Sequence, residues 1–139
     1  NTNGAATFSS SVTAASHITT GGSASQFVKG DGSLSTGYKV YTALLSQSGT
    51  SAPYPTVLEN TLGGTVVWSY SGVGYYTGTL TSAFTVNKTI TFNNKTNTNP
   101  IASFSRNGVN EVVIFSTNSS NSSADGIING ISIEIRVYN

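Results

Sequence analysis

Apolar and polar residues alternate along much of the chain from residue 38 onward, and a period of two predicts β-strands. The clearest case lies at the C-terminus, where every second residue from Ile131 to Val137 is β-branched and apolar. The intervening positions carry Ser132, Glu134 and Arg136. We therefore expect one face of this strand to lie in a core and the other to face solvent or a partner.

A second alternating segment covers residues 84–92, with threonines on one side and larger apolar residues on the other. The apolar side is predicted to face the core and consists of Phe84, Val86, Ile90 and Phe92. Further strands are predicted over residues 38–46, 56–60, 65–70, 75–80, 101–105 and 109–117.

Turn residues separate these segments. Asn107-Gly108 lies between two apolar stretches and predicts a β-hairpin with a type I′ turn, in which both central residues have positive φ. Sustained helical periodicity is absent, apart from a weak pattern near residues 41–47. About eight short strands at this spacing predict an all-β fold, an antiparallel β-sandwich or jelly-roll-like knob over residues 38–139.

The first 37 residues differ from the rest of the chain. They consist mainly of Ser, Thr, Ala and Gly, with too few large apolar side chains to form a core of their own. Such a segment is either a flexible linker or an extended arm that becomes ordered by packing on something else. We therefore divide the chain into an extended polar arm, residues 1–37, and a β-sandwich domain, residues 38–139.

The composition of the chain argues against several functional classes. Ser, Thr and Asn together make up 56 of the 139 residues, charged residues make up 8%, the net charge is +1, and cysteine is absent. A disulfide framework and a thiolate zinc site are therefore excluded. With six basic and five acidic residues, the chain lacks the basic stripe that nucleic-acid binding requires. Membrane insertion is not expected either, because no apolar run approaches the roughly 20 residues that cross a bilayer.

Residues that could perform catalysis are few. His17 is the only histidine, and it has no carboxylate beside it. Asp31 and Asp125 each precede glycine, a position at which Asp most often serves its own turn backbone. A glycosidase pair formed by Glu59 and Glu111 remains an open alternative. We expect no enzymatic activity, no cofactor and no metal.

Four aromatic residues near a glycine turn could form a binding site: Trp68, Tyr70, Tyr75 and Tyr76. Aromatic faces stack on sugar rings, so this group predicts a contact for a glycan or receptor. The simpler interpretation places Trp68 and Tyr70 in the core or in a subunit interface, because they share one strand face.

Residues 18–34 read ITTGGSASQFVKGDGSL. This stretch resembles the GG-x-x-x-Q-F-L-K-x-D-G-S segment that recurs in bacteriophage tail-fibre, head-fibre and related virion surface proteins. Val28 and Gly30 stand where that pattern often has Leu and Ala. Residues 38–50, 57–68 and 131–138 are similar to the β domain that often follows the segment.

The resemblance implies a fibre or spike at the virion surface, usually a homotrimer, with a polar connector that leads into a β-sandwich knob. Phe27, Val28 and Leu34 would then face the threefold axis or a neighbouring knob. Capsid, tail or fibre-base proteins are the implied partners. The expected function is a non-enzymatic structural component of the virion that can contact the host surface. The alternative is a carbohydrate-binding module that recognises a host-surface glycan through exposed aromatic residues.

Overall fold

The structure is a computed structural model, and it describes Ser9 and residues 26–29, 34–35, 37–94 and 101–139. Within these residues every regular element is a β-strand, and no helix is present that is long and apolar enough to cross a membrane. The chain divides into two units, Asn1–Thr36 and Gly37–Asn139.

The described part of the first unit is a small antiparallel β-hairpin. Strand β1, Phe27–Val28, pairs with β2, Leu34–Ser35, so that Val28 lies opposite Leu34. The side chains of Phe27 and Val28 are 71% and 49% exposed. Most of the predicted arm, including His17 and Asp31, lies outside the described residues, as does the side chain of Leu34.

The second unit consists of two four-stranded antiparallel sheets. Its strands are β3 Tyr38–Ser46, β4 Tyr54–Asn60, β5 Val67–Gly72, β6 Tyr75–Thr79, β7 Thr89–Asn93, β8 Ile101–Arg106, β9 Glu111–Ser116 and β10 Ile131–Tyr138. Sheet I has the order β4-β3-β10-β7, and sheet II has the order β5-β6-β9-β8. The all-β sandwich that the alternating pattern predicts is therefore confirmed.

The core of the second unit lies between the inner faces of the two sheets. Tyr41 and Ile135 of sheet I and Tyr76 and Ile114 of sheet II are almost completely buried in it. Hydrogen bonds also join the two sheets. The indole N–H of Trp68 in sheet II donates to the hydroxyl of Tyr41 in sheet I at 3.3 Å. Both buried polar groups thereby have a hydrogen-bond partner.

The predicted alternation is confirmed in β10. Its odd-numbered residues from Ile131 to Val137 are buried, whereas Ser132, Glu134 and Arg136 on the other face are only partly covered.

The prediction for residues 84–92 is wrong in part. The strand begins only at Thr89, after a turn in which Asn87 adopts a φ of +58°. Phe84 is fully buried, but Val86, Ile90 and Phe92 are exposed. The turn breaks the phase of the alternation, and in the edge strand β7 the threonines face inward. Thr91 donates its hydroxyl hydrogen to the Phe104 carbonyl of sheet II at 2.7 Å.

The hairpin predicted around Asn107-Gly108 is confirmed as β8–β9, but its turn type is wrong. Four residues, 107–110, separate the strands, and among them only Gly108 has a positive φ, +117°. The Asn107 N–H donates to the Glu111 carbonyl at 2.8 Å, and its side-chain amide donates to the Glu111 carboxylate at 2.6 Å. These bonds close the wider loop.

Candidate functional site

The outer face of sheet I carries a cluster of exposed aromatic residues around one arginine. Strand pairing brings them together, since Arg136 in β10 lies between Val40 in β3 and Ile90 in β7. Two pairs further along, on the same face, Tyr138 lies opposite Tyr38. We call this cluster the aromatic platform, and its members are Tyr38, Phe92, Glu134, Arg136 and Tyr138.

Arg136 lies at the centre of the aromatic platform. Its guanidinium carbon is 4.8 Å from the centroid of the Tyr38 ring and 5.1 Å from that of the Phe92 ring. Both distances are within the range of cation–π attraction. The rings of Tyr38 and Tyr138 also contact each other, with centroids 5.3 Å apart. Side chains from three neighbouring strands thus hold one another in place.

The aromatic platform has no net charge. The guanidinium of Arg136 donates to the carboxylate of Glu134, which lies two residues earlier on the same strand face. This hydrogen bond raises the pKa of Arg136 above its ordinary value, so the arginine stays protonated. Opposite charges therefore lie side by side on an otherwise aromatic surface.

The aromatic platform is open to solvent in this chain. Tyr38, Phe92 and Tyr138 are 41%, 45% and 40% exposed, and the exposed side chains of Leu44 and Ile90 extend the apolar surface. Tyrosine, phenylalanine and arginine are the residues that are enriched in protein interfaces, and tyrosine and arginine often dominate their binding energy. A sheet face of this composition suits contact with another protein surface.

A separate polar cluster fastens one end of the sandwich. The Asp125 carboxylate accepts hydrogen bonds from the Gly74 N–H at 2.7 Å, the Tyr70 hydroxyl at 2.9 Å and the Tyr76 hydroxyl at 3.0 Å. The Gly74 N–H contributes most to lowering the pKa of Asp125 below 3.8, and the two tyrosine hydroxyls add to it. The expectation that Asp125 serves its own turn is therefore wrong, because its partners lie in β5, β6 and the turn between them.

Gln47, directly after β3, connects this cluster to sheet I. Its side-chain oxygen lies 2.6 Å from the Gly126 N–H and 3.2 Å from the Tyr76 hydroxyl. Its amide nitrogen donates to the carbonyls of Gly49 and Ser51. In the part of the chain that the structure describes, no buried side-chain polar atom lacks a partner. The hydrogen bonds of this cluster therefore connect the end of sheet I to β5, β6 and the turn between them.

The structure does not bring the four predicted aromatic residues together on the surface. Trp68 and Tyr76 are buried in the core, and Tyr70 is half-buried with its ring centroid 6.1 Å from that of Tyr76. Tyr75 lies on the opposite face of sheet II, stacked on Phe115 at 4.7 Å. Neighbouring residues of a strand point to opposite faces, so Tyr75 and Tyr76 could not share one binding surface.

The residues predicted for assembly are partly described. Phe27 and Val28 lie in β1 with exposed side chains. The aromatic platform, in contrast, was not predicted as a site. The sequence indicates only that the outward face of β10 meets solvent or a partner. The contacts of this face with Tyr38 and Phe92 depend on pairing between strands that are distant in sequence.

The carboxylates of the described residues are distributed over β4, β9, β10 and the segment before β10. Glu59 is in β4 of sheet I and Glu111 is in β9 of sheet II, so the predicted alternative pair lies on different sheets. No group of three or more His, Cys, Asp or Glu side chains that could hold a metal ion occurs among these residues.

Comparisons with known proteins give no relative for this chain. No protein-family model matches it, and neither the curated proteins nor the solved structures contain a significant match. Its function therefore has to be inferred from its own residues.

Proposed function

We propose that this chain is a structural, non-enzymatic module of a bacteriophage virion fibre or spike, and that it assembles as a homotrimer at the virion surface. The observation that carries the proposal is the exposed apolar pair Phe27-Val28, which lies in a β-hairpin within the connector-like segment. The unit that contains this hairpin precedes a separate β-sandwich unit, in the order that the resemblance implies.

The exposed pair supports assembly for an energetic reason. Moving a side chain such as Phe or Val from water into an apolar contact contributes about 1.5–3 kcal/mol. Phe27 and Val28 are adjacent in β1 and point to opposite faces of the hairpin, so identical copies that pack on both faces supply such a contact for each side chain. The role proposed for Phe27 and Val28, and for Leu34 opposite Val28, is therefore to join copies of the chain.

The low charge of the chain also supports association of identical copies. Only 8% of the residues are charged, and the net charge is +1. Identical surfaces repel each other when they carry a large charge of one sign. Here that repulsion is small, so polar and apolar contacts decide whether the copies associate.

Light scattering of the full chain tests this proposal. Three copies of the 14.3 kDa chain give a mass of about 43 kDa. In a Phe27→Ser, Val28→Ser double variant we expect the mass to fall toward that of one chain at the same concentration. Val109→Ser is the control, because Val109 is also exposed but lies in the β8–β9 loop. A wild-type chain that stays monomeric at every concentration would contradict the proposal.

One observation favours a second function, recognition of a host-surface glycan. Tyr75 and Phe115 stack on the outer face of sheet II, and Phe115 remains exposed. Ser71, at the end of the neighbouring strand, adds a hydroxyl group that can bind a sugar. Titration of the full chain with polysaccharide from the host surface tests this function. Binding that weakens in Tyr75→Ala supports it, and absence of binding by the wild-type chain removes it.

A further inference from the structure

We infer that the aromatic platform is a contact surface for further copies of this chain, so that three platforms face one another around the axis of the trimer. This inference rests on the proposed homotrimeric assembly and adds the surface through which the sandwich units meet. Charge complementarity and position in the chain favour another copy of the chain as the occupant, and rigidity favours tight association.

The first feature is charge complementarity. Each platform presents Arg136 and Glu134 next to each other on one strand face, so it carries both signs and no net charge. When identical surfaces meet around an axis, Arg136 of one copy can face Glu134 of the next. A strongly acidic or basic partner would gain little from such a surface, whereas an identical copy is complementary to it.

The second feature is the position of the aromatic platform in the chain. The sandwich unit begins at Gly37, directly before Tyr38, and it ends at Asn139, directly after Tyr138. The Asn139 side-chain amide donates to the Gly37 carbonyl at 3.2 Å, so both ends of the unit meet beside the platform. Copies joined through residues 1–36 are tethered at Gly37, and a short tether raises the effective concentration of the surfaces next to it.

The third feature is rigidity. Arg136 is held by the rings of Tyr38 and Phe92 and by the carboxylate of Glu134. Side chains that are already fixed lose less conformational entropy on association than free ones. The aromatic platform therefore offers a preformed surface, as is typical of residues that dominate binding energy.

Sedimentation velocity of full-length variants tests this inference. Phe92→Thr removes an exposed ring of the platform and keeps a residue that favours strands. Phe115→Thr is a matched control, because the two phenylalanines are 45% and 42% exposed and Phe115 lies on sheet II. We expect Phe92→Thr to raise the dissociation constant of the trimer at least about tenfold and Phe115→Thr to leave it within about twofold.

A charge-reversal variant gives a second measurement that misfolding would not reproduce. In Arg136→Glu each platform carries two carboxylates, so the copies repel one another. We expect weaker association at low salt that recovers in part as salt screens the repulsion. Circular dichroism should show the same β content as in the wild type.

The possible results distinguish a failure of the platform as a contact surface from a failure of the proposed trimeric function. A wild-type trimer that both phenylalanine variants leave intact overturns the platform as a contact surface and leaves the trimeric module standing. A dimer that only Phe92→Thr dissociates supports the platform and overturns the trimer. A wild-type monomer at every concentration overturns both.

Discussion

At the scale of single residues, Asp125 shows how one side chain can fasten distant parts of the chain. Its carboxylate receives hydrogen bonds from the Gly74 backbone and from the hydroxyls of Tyr70 and Tyr76. These partners are distant in sequence, since Gly74 precedes Asp125 by 51 residues. Local turn chemistry could not predict them, because they depend on how the sandwich closes.

The Asp125 carboxylate makes the stability of the folded state depend on pH. Its pKa in the folded chain lies below the ordinary 3.8, because the Gly74 N–H and the two tyrosine hydroxyls stabilise the charged form. The folded state therefore gains stability from this carboxylate above pH 3.8 and loses it as the pH falls through the lowered pKa. We expect the melting temperature of the wild type to fall in that acidic range, and the fall to be smaller in Asp125→Asn. Calorimetry at a series of pH values measures the melting temperature of both proteins.

Glu111→Gln is the control for this measurement, because the one hydrogen bond described for the Glu111 carboxylate is with Asn107 of an exposed loop. An acid profile of Asp125→Asn that coincides with the wild-type profile would show that the carboxylate does not stabilise the fold.

Tyr76 makes the stability of the fold depend on pH in the alkaline range, as Asp125 does in the acidic range. Burial raises the pKa of its hydroxyl from 10.0 to about 12, so the folded chain resists its ionisation. The stability linked to this group is complete below pH 10.0 and is lost as the pH rises toward about 12. In Tyr76→Phe we expect less alkaline destabilisation. At neutral pH the same variant should be less stable by about 1 kcal/mol, because the Asp125 carboxylate loses the Tyr76 hydroxyl as a donor.

Denaturant unfolding at pH 7 and pH 11 measures both effects in the Tyr76→Phe variant. If its stability equals that of the wild type at both values, the hydroxyl has no role in the cluster.

At the scale of strands, alternation predicts an element well when its two faces differ in polarity and no turn interrupts it. The buried face of β10 follows from sequence in this way, and β3 has the bounds predicted for it, residues 38–46. In β7 the pattern fails, because the turn at Asn87 separates Phe84 from the strand, and Phe92 lies opposite Glu134 on the outer face of sheet I. Apolar character alone does not distinguish a core face from a face that contacts a partner.

Gly78 provides a test of packing between neighbouring strands. It lies opposite Trp68 in the β5–β6 pair, and a Cβ atom at Gly78 would lie 3.1 Å from the indole ring. In Gly78→Ala the ring has to shift, which strains the core and weakens the hydrogen bond to Tyr41. We expect a loss of about 1–3 kcal/mol in unfolding free energy. Fluorescence of Trp68, the only tryptophan, measures both the unfolding and the shift.

Gly72→Ala is the matched control, because a Cβ atom at Gly72 meets no other atom within 4 Å. Equal stability and equal emission spectra for Gly78→Ala and the wild type would contradict the predicted packing.

At the scale of the whole molecule, the sequence predicts the fold class but not the surface that we propose for assembly. Eight strands in two sheets follow from alternation and turn residues. The aromatic platform requires Tyr38, Phe92 and Arg136 to meet across β3, β10 and β7, which depends on strand order and register. Neither is encoded in local composition. The contacts that would define this surface are long-range, as are those of Asp125.

A crystal structure of the assembled full-length protein tests the central claim most directly. The measurement is the solvent exposure of Tyr38, Phe92 and Tyr138 in the assembly, compared with 41%, 45% and 40% in the single chain. We predict three copies around one axis, with these rings buried between copies and Arg136 of one copy close to Glu134 of the next. An assembly that leaves the three rings as exposed as they are in the single chain would contradict the account.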